Sequence, residues 1–134
     1  MQARIYISLQ GPSFNPHEFH ARVGGAVQGR VRRRRQNGAP LTNVPLDYWA
    51  SVATVVAAGE VGVSLGDLLS RLLPFVRPML EKASPRVVAH VVLEFGLGEE
   101  PVGLNFPQKT IELLREIGAE LDIDAVRRVA PDEN

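Results

Sequence analysis

Residues 3–10 read Ala3-Arg4-Ile5-Tyr6-Ile7-Ser8-Leu9-Gln10 and alternate without a break. Ile5, Ile7 and Leu9 point one way and Arg4, Tyr6, Ser8 and Gln10 the other, the period of a half-buried β-strand. Gly11-Pro12-Ser13 ends the strand, and Asn15-Pro16-His17-Glu18 carries the chemistry of a helix start. Asn15 suits the N-cap, Pro16 the first helical position, and Glu18 the acid three residues after the cap. Gly24-Gly25 offers a left-handed stop. An apolar strand face followed by a capped helix predicts a two-layer α+β sandwich.

The rest of the chain extends that pattern. In residues 27–36, Val27, Gly29 and Val31 interleave with an arginine run, which predicts a polar edge strand. Asn37-Gly38 marks a turn, lengthened by Pro40 and Pro45. Residues 47–57 are rich in β-branched and aromatic side chains and predict a central strand. Ser64 is placed to cap a helix whose buried stripe is Leu65, Leu68, Leu69, Leu72 and Leu73. Pro74 and Pro78 predict a kink or restart in it, and Ser84-Pro85 stops it. Residues 86–96 alternate again, with Val87, Ala89, Val91, Leu93 and Phe95 opposite Arg86, Val88, His90, Val92 and Glu94.

After a loop from Gly96 to Gly103, Pro107 opens a last helix with Ile111, Leu114 and Ile117 on one face. Gly118 closes it, and Glu120-Leu121-Asp122-Ile123-Asp124-Ala125 is a short alternating strand. Leu121 and Ile123 are expected beside Leu93 and Ile7 under the helices. The order β-α-β-β-α-β-α-β predicts a mainly antiparallel sheet in ferredoxin-like β-α-β-β-α-β order with an appended α-β unit. Residues 1–129 are read as a single α+β domain and 130–134 as a frayed tail. Phe14-Asn15-Pro16 before one helix and Asn105-Phe106-Pro107 before another suggest an internal duplication.

Composition narrows the chemistry. The 134 residues include no Cys, which removes disulfides, thiolate zinc sites, iron–sulfur clusters and Cys nucleophiles. Glu60, Asp67 and Arg71 interrupt the longest apolar run, so no membrane span is expected. No signal-peptide pattern opens the chain, and a cytoplasmic location is the expectation. Fifteen basic and fifteen acidic side chains cancel overall, yet residues 1–40 carry seven Arg against the single acid Glu18. Such asymmetry points to a nucleic-acid patch, an acidic partner, or two halves that neutralise each other within one fold.

The opening strand with the Phe14-Asn15-Pro16-His17-Glu18 helix start, the Tyr48-Trp49-Ala50-Ser51 strand and the closing stretch from Ile111 to Asp124 stand in the order of a known family. On these stretches the chain resembles the bacterial family catalogued as domain of unknown function 4279. It departs from that family in the second strand region, where a Trp and a basic residue before a Gly are replaced by Arg32 to Arg35. The resemblance implies one α+β domain and brings no activity, cofactor or catalytic residue.

The arginine run, Arg30-Val31-Arg32-Arg33-Arg34-Arg35, is the strongest local signal. On a strand, Arg30, Arg32 and Arg34 share one face at roughly 6–7 Å intervals, near a nucleic-acid phosphate repeat. The neutral chain and the lack of an RNP pattern, with only Tyr6 on the opening strand, weigh against nucleic acid. A charged edge strand that resists aggregation is the plainer reading. Glu120, Asp122 and Asp124 form a carboxylate row spread over ~13 Å, too long for one ion. His17 and His20 stand i, i+3 with no third metal ligand indicated. His90 and Glu94 are too far apart along one strand for a direct hydrogen bond. Trp49 reads as a core plug or as a binding anchor.

No nucleophile, metal or cofactor motif is present, so no enzyme and no cofactor are expected. The residues predict a small non-catalytic module that binds another protein, with an immunity- or antitoxin-like role fitting such a surface. The alternative is nucleic-acid binding through Arg30–Arg35. The candidate surface comprises Arg30, Arg32, Arg34, Tyr6, Trp49, His90, Glu94, Glu120, Asp122 and Asp124.

Overall fold

The computed structural model describes residues 1–33, 47–100 and 103–127. Arg34, Arg35, the Asn37-Gly38 turn and the 130–134 tail lie outside the described residues. The element order is β1 (Gln2–Gln10), α1 (Pro16–Val23), β2 (Gly29–Arg33), β3 (Asp47–Ser51), β4 (Thr54–Ala57), α2 (Val61–Val76), β5 (Arg86–Phe95), α3 (Gln108–Ile117) and β6 (Glu120–Arg127). Short 3-10 turns at Ala58–Glu60 and Arg77–Met79 flank α2. The strands form one mixed, mostly antiparallel sheet of six, ordered β2-β3-β1-β5-β6, with β4 also paired to β1.

β1 is paired along its whole length with β5, from Gln2 opposite Glu94 to Gln10 opposite Arg86. Its apolar row, Ala3, Ile5, Ile7 and Leu9, is fully buried beneath α1 and α2 together with Val87, Ala89, Val91 and Leu93 of β5. The side chains of opposite parity face away from the helices. Helix α1 begins as expected, with Asn15 Oδ1 accepting from the His17 and Glu18 amides at 3.1 Å each. Glu18 does not close the reciprocal half of a capping box; it pairs with Arg22 one turn on, at 3.0 Å.

Residues 47–57 are not one continuous strand. The chain breaks at Val52-Ala53 into β3 and β4, both antiparallel to β1. Ser51 repairs the gap, its Oγ accepting the Ile7 amide at 2.8 Å from a buried position. Trp49 fills the space between the sheet and α1, with no exposed surface. Its indole N–H donates to His20 Nδ1 at 3.3 Å, and Phe19 meets it edge-on. Gly29 on β2 is what lets the edge strand lie against that ring: a Cβ there would come within 2.1 Å of the indole.

Helix α2 starts at Val61, so Ser64 lies inside it and does not cap it. The Ala58 amide donates to the Met1 carbonyl at 3.2 Å, and the helix winds on directly from the turn held there. It runs through Pro74 to Val76 before tightening at Pro78.

Helix α3 presents a different face from the expected one. Thr110, Leu113 and Ile117 are buried, whereas Ile111 is 53% exposed. The cause is a seam of small residues on α2. Cβ atoms at Gly62 and Gly66 would lie 2.2 Å from the Asn105 carbonyl and 2.4 Å from Thr110 Oγ1. Thr110 Oγ1 sits in that seam and donates to the Gly62 carbonyl at 2.8 Å. Drawn onto α2, α3 leaves β6 uncovered. Leu121 and Ile123 lie on the helix side by register, beside Ala89 and Val91, yet are 40% and 44% exposed. The expectation that they are core residues is therefore corrected.

Two aspartate substitutions on neighbouring strands distinguish these positions. Val91→Asp buries an unpaired charge and should cost several kcal/mol, on the order of 3 or more. Ile123→Asp should cost under ~1 kcal/mol, because its side chain stays hydrated. Urea titration of both variants reads the difference.

Candidate recognition surface

The sheet face turned away from the helices carries every candidate residue within the described region except Trp49. Trp49 is enclosed on the helix side and is withdrawn from the surface. Strand register sets the layout. Arg30 stands opposite Ala50 and Arg32 opposite Tyr48, while Ser8 lies between Ala50 and Val88. Tyr6 stands opposite His90, and His90 beside Asp122.

β2 forms one edge of the sheet and β6 the other. Arg30 and Arg32 are exposed and have no acidic partner among the described residues. Glu120 is held at the opposite edge by the Arg86 guanidinium, in three hydrogen bonds of 2.8–3.2 Å. That pairing lowers the Glu120 pKa and raises that of Arg86. Four inter-strand steps of ~4.8 Å separate the β2 and β6 backbones by about 19 Å. Arg32 lies level with Gln10 whereas Asp122 lies level with Tyr6, so the two are beyond direct contact. The positive and negative segments do not neutralise each other across adjacent strands.

Between the edges lies an aromatic and polar centre. The Tyr6 and His90 rings stack with centroids 4.4 Å apart and 12° between planes. Ser8 Oγ is 2.9 Å from His90 Nε2, and His90 Nδ1 is 3.5 Å from Asp122 Oδ2. Burial lowers the His90 pKa against the opposing pull of Asp122, so the ring is neutral at pH 7. Asp122 can only accept, so Nδ1 carries the proton and Nε2 accepts from the Ser8 hydroxyl. Desolvation likewise raises the Tyr6 pKa and keeps the phenol neutral.

Two shallow clefts flank Tyr6. One, of about 480 Å³, is bordered by Arg4, Arg30, Arg32, Tyr48 and Glu94. The other, of about 540 Å³, is bordered by Gln10, Tyr48, Arg86, His90 and Asp122. Glu94 is taken up within the sheet, by Arg4 at 2.6 Å and Gln2 at 2.9 Å, which crosslinks β1 to β5. His17 points to Asp47 at 3.5 Å and His20 to Trp49, so the two imidazoles do not converge. No group of three His, Asp or Glu among the described residues is placed to hold a metal.

Ser8, His90 and Asp122 match the order of a nucleophilic relay but not its surroundings. Ser8 is buried, and its strand is paired on both sides, with Ala50 and with Val88. The ladder thus consumes the amides that an oxyanion hole would need. The relay positions His90 beneath Tyr6 and gives the surface a fixed, neutral, hydrogen-bonded centre. Sequence spacing could not reveal it, since Ser8 and His90 are 82 residues apart. The available signal was parity alone: both residues sit on the polar side of an alternating strand.

The lowered His90 pKa has a defined consequence for stability. The unfolded chain binds a proton near 6.5, the folded chain only below that. The contribution is complete above ~6.5 and is lost as pH falls through the lower folded value. The urea midpoint of the wild type should drop more between pH ~7.5 and ~5 than that of His90→Gln. A second measurement concerns the edges: a double-mutant cycle on Arg32→Ala and Asp122→Ala should give coupling below ~0.5 kcal/mol.

Set against known proteins, the chain matches no family model, no curated protein and no solved structure.

Proposed function

We propose that the chain is a non-catalytic recognition module that binds another protein through the helix-free face of its sheet. The observation that carries this reading is the layout of that face: exposed Arg30 and Arg32, without an acidic partner among the described residues, at one edge, carboxylates at the other, and Tyr48, Tyr6 and His90 between. Arginine and tyrosine are enriched where protein interfaces concentrate their binding energy, and a two-signed face selects one orientation of its partner. The strand order β5-β1-β3-β2 supports a ferredoxin-like core, with α3 and β6 appended beyond β5. An immunity- or antitoxin-like role in the cytoplasm suits a rigid surface of this kind. Support for that role is by analogy of architecture.

One observation favours a second reading, single-stranded nucleic acid. Arg30 and Arg32 stand beside Tyr48 and Tyr6 at the same cleft, which pairs phosphate-binding cations with stacking rings. Asp122, Asp124 and Glu120 share the face and repel phosphate, so protein is preferred.

A pull-down from native lysate, with and without nuclease, separates the two. Capture of the same protein should survive nuclease, fall in Arg32→Glu/Tyr48→Ala, and persist in Arg71→Ala on the helical layer. Fluorescence anisotropy with a single-stranded oligonucleotide at ~150 mM salt should show no binding. Binding that falls by orders of magnitude as salt rises would establish the nucleic-acid reading instead.

A further inference from the structure

β6 is exposed over all eight of its residues, Glu120–Arg127. One side pairs in parallel with β5, and no strand among the described residues pairs with the other. Such an edge presents a row of unmatched amides and carbonyls, and proteins usually blunt it with charged side chains, Pro, a bulge or a short strand. The opposite edge, β2, follows that rule: it is five residues long and carries Arg30, Arg32 and Arg33. β6 is blunted by charge on one face only. It is eight residues long, contains no Lys, Pro or Gly, and carries Glu120, Asp122 and Asp124 on its helix-free side while Leu121 and Ile123 stay apolar on the other.

Both faces of this edge are chemically marked. Glu120, Asp122 and Asp124 line the helix-free side, and Asp124 has no hydrogen-bond or ion-pair partner among the described residues. Leu121 and Ile123 line the helix side, 40% and 44% exposed because α3 is held on α2. We infer that β6 is a strand-addition site for an extended segment of the protein partner whose residues alternate basic and apolar. Main-chain hydrogen bonds would supply affinity. Asp122 and Asp124 would pair the basic side chains, Glu120 being held by Arg86, and the Leu121–Ile123 ledge would cover the apolar ones.

A symmetric pairing of β6 with a second copy is disfavoured, since it would set the carboxylate row against itself. This inference rests on the protein-recognition reading and specifies what the acidic edge contributes to it.

The test uses the whole chain and a labelled eight-residue peptide alternating Lys and Val, followed by fluorescence anisotropy. The alternating peptide should bind at least tenfold more tightly than a peptide of the same composition with its Lys and Val in separate blocks. N-methylation along one edge of the alternating peptide should abolish binding, and methylation along the other should spare it. Asp122→Lys/Asp124→Lys should lose the Lys/Val peptide and gain a Glu/Val one. Equal binding of the blocked peptide, or indifference to methylation on either edge, would reduce the effect to nonspecific charge attraction and overturn the proposal. Concentration-dependent self-association abolished by Arg30→Glu/Arg32→Glu would assign β6 to the β2 edge of another copy and likewise overturn it. Loss of peptide binding with lysate capture intact refutes only the β6 site, whereas loss of both refutes the recognition reading.

Discussion

The burial of Ala3, Ile5, Ile7 and Leu9 against the helices is the constraint on which the rest of the structure depends. Because a strand alternates, hiding that row forces Arg4, Tyr6, Ser8 and Gln10 onto the other side. β1 lies inside the sheet, so its register is locked from both sides and a one-residue slip would exchange the two faces entirely. The polar face is thus held by the same pairing that builds the core. Tyr6 finds His90 and Ser8 finds its imidazole nitrogen because β5 runs antiparallel to β1 in the one register that also stacks Ile7 beside Ala89.

A second constraint comes from the seam between α2 and α3. Gly62 and Gly66 bring the helices close, and Thr110 places its hydroxyl where a larger side chain could not stand. This close approach moves the apolar cover away from the last strand. The consequence for the proposed strand-addition site is direct, since β6 keeps its ladder to β5 but gains no roof. An edge strand with hydrated apolar and acidic rows is chemically ready for a partner in a way that a covered strand is not.

The electrostatics of the helix-free face follow from strand order. Zero net charge would leave little field if the arginine and carboxylate segments were neighbours. Placed at opposite edges, they give the face a direction that can orient an approaching partner. The centre stays neutral, with His90 uncharged beneath Tyr6 and each ring nitrogen facing a polar atom. In the proposed recognition, orientation is therefore set at the edges, and shape and stacking at the middle.

The sequence by itself determined the elements whose information is local. The alternation of residues 3–10 and 86–95, the Asn15-Pro16 helix start, the Gly24 and Gly118 stops and the polar character of β2 all depend on neighbours a few residues away. The α+β class follows from them. Three features were decided only by tertiary structure. The buried face of α3 was ambiguous because Ile111-Leu114 and Thr110-Leu113-Ile117 are both acceptable stripes, and the choice was made by glycines on a distant helix. The break at Val52-Ala53 is accommodated by the Ser51 hydroxyl, which accepts the Ile7 amide across 44 residues of chain. The Ser8, His90 and Asp122 contacts require the registers of three strands at once. Periodicity states which face a side chain occupies; it carries no information about which strand lies beside it, because pairing is chosen by the burial of the whole sheet.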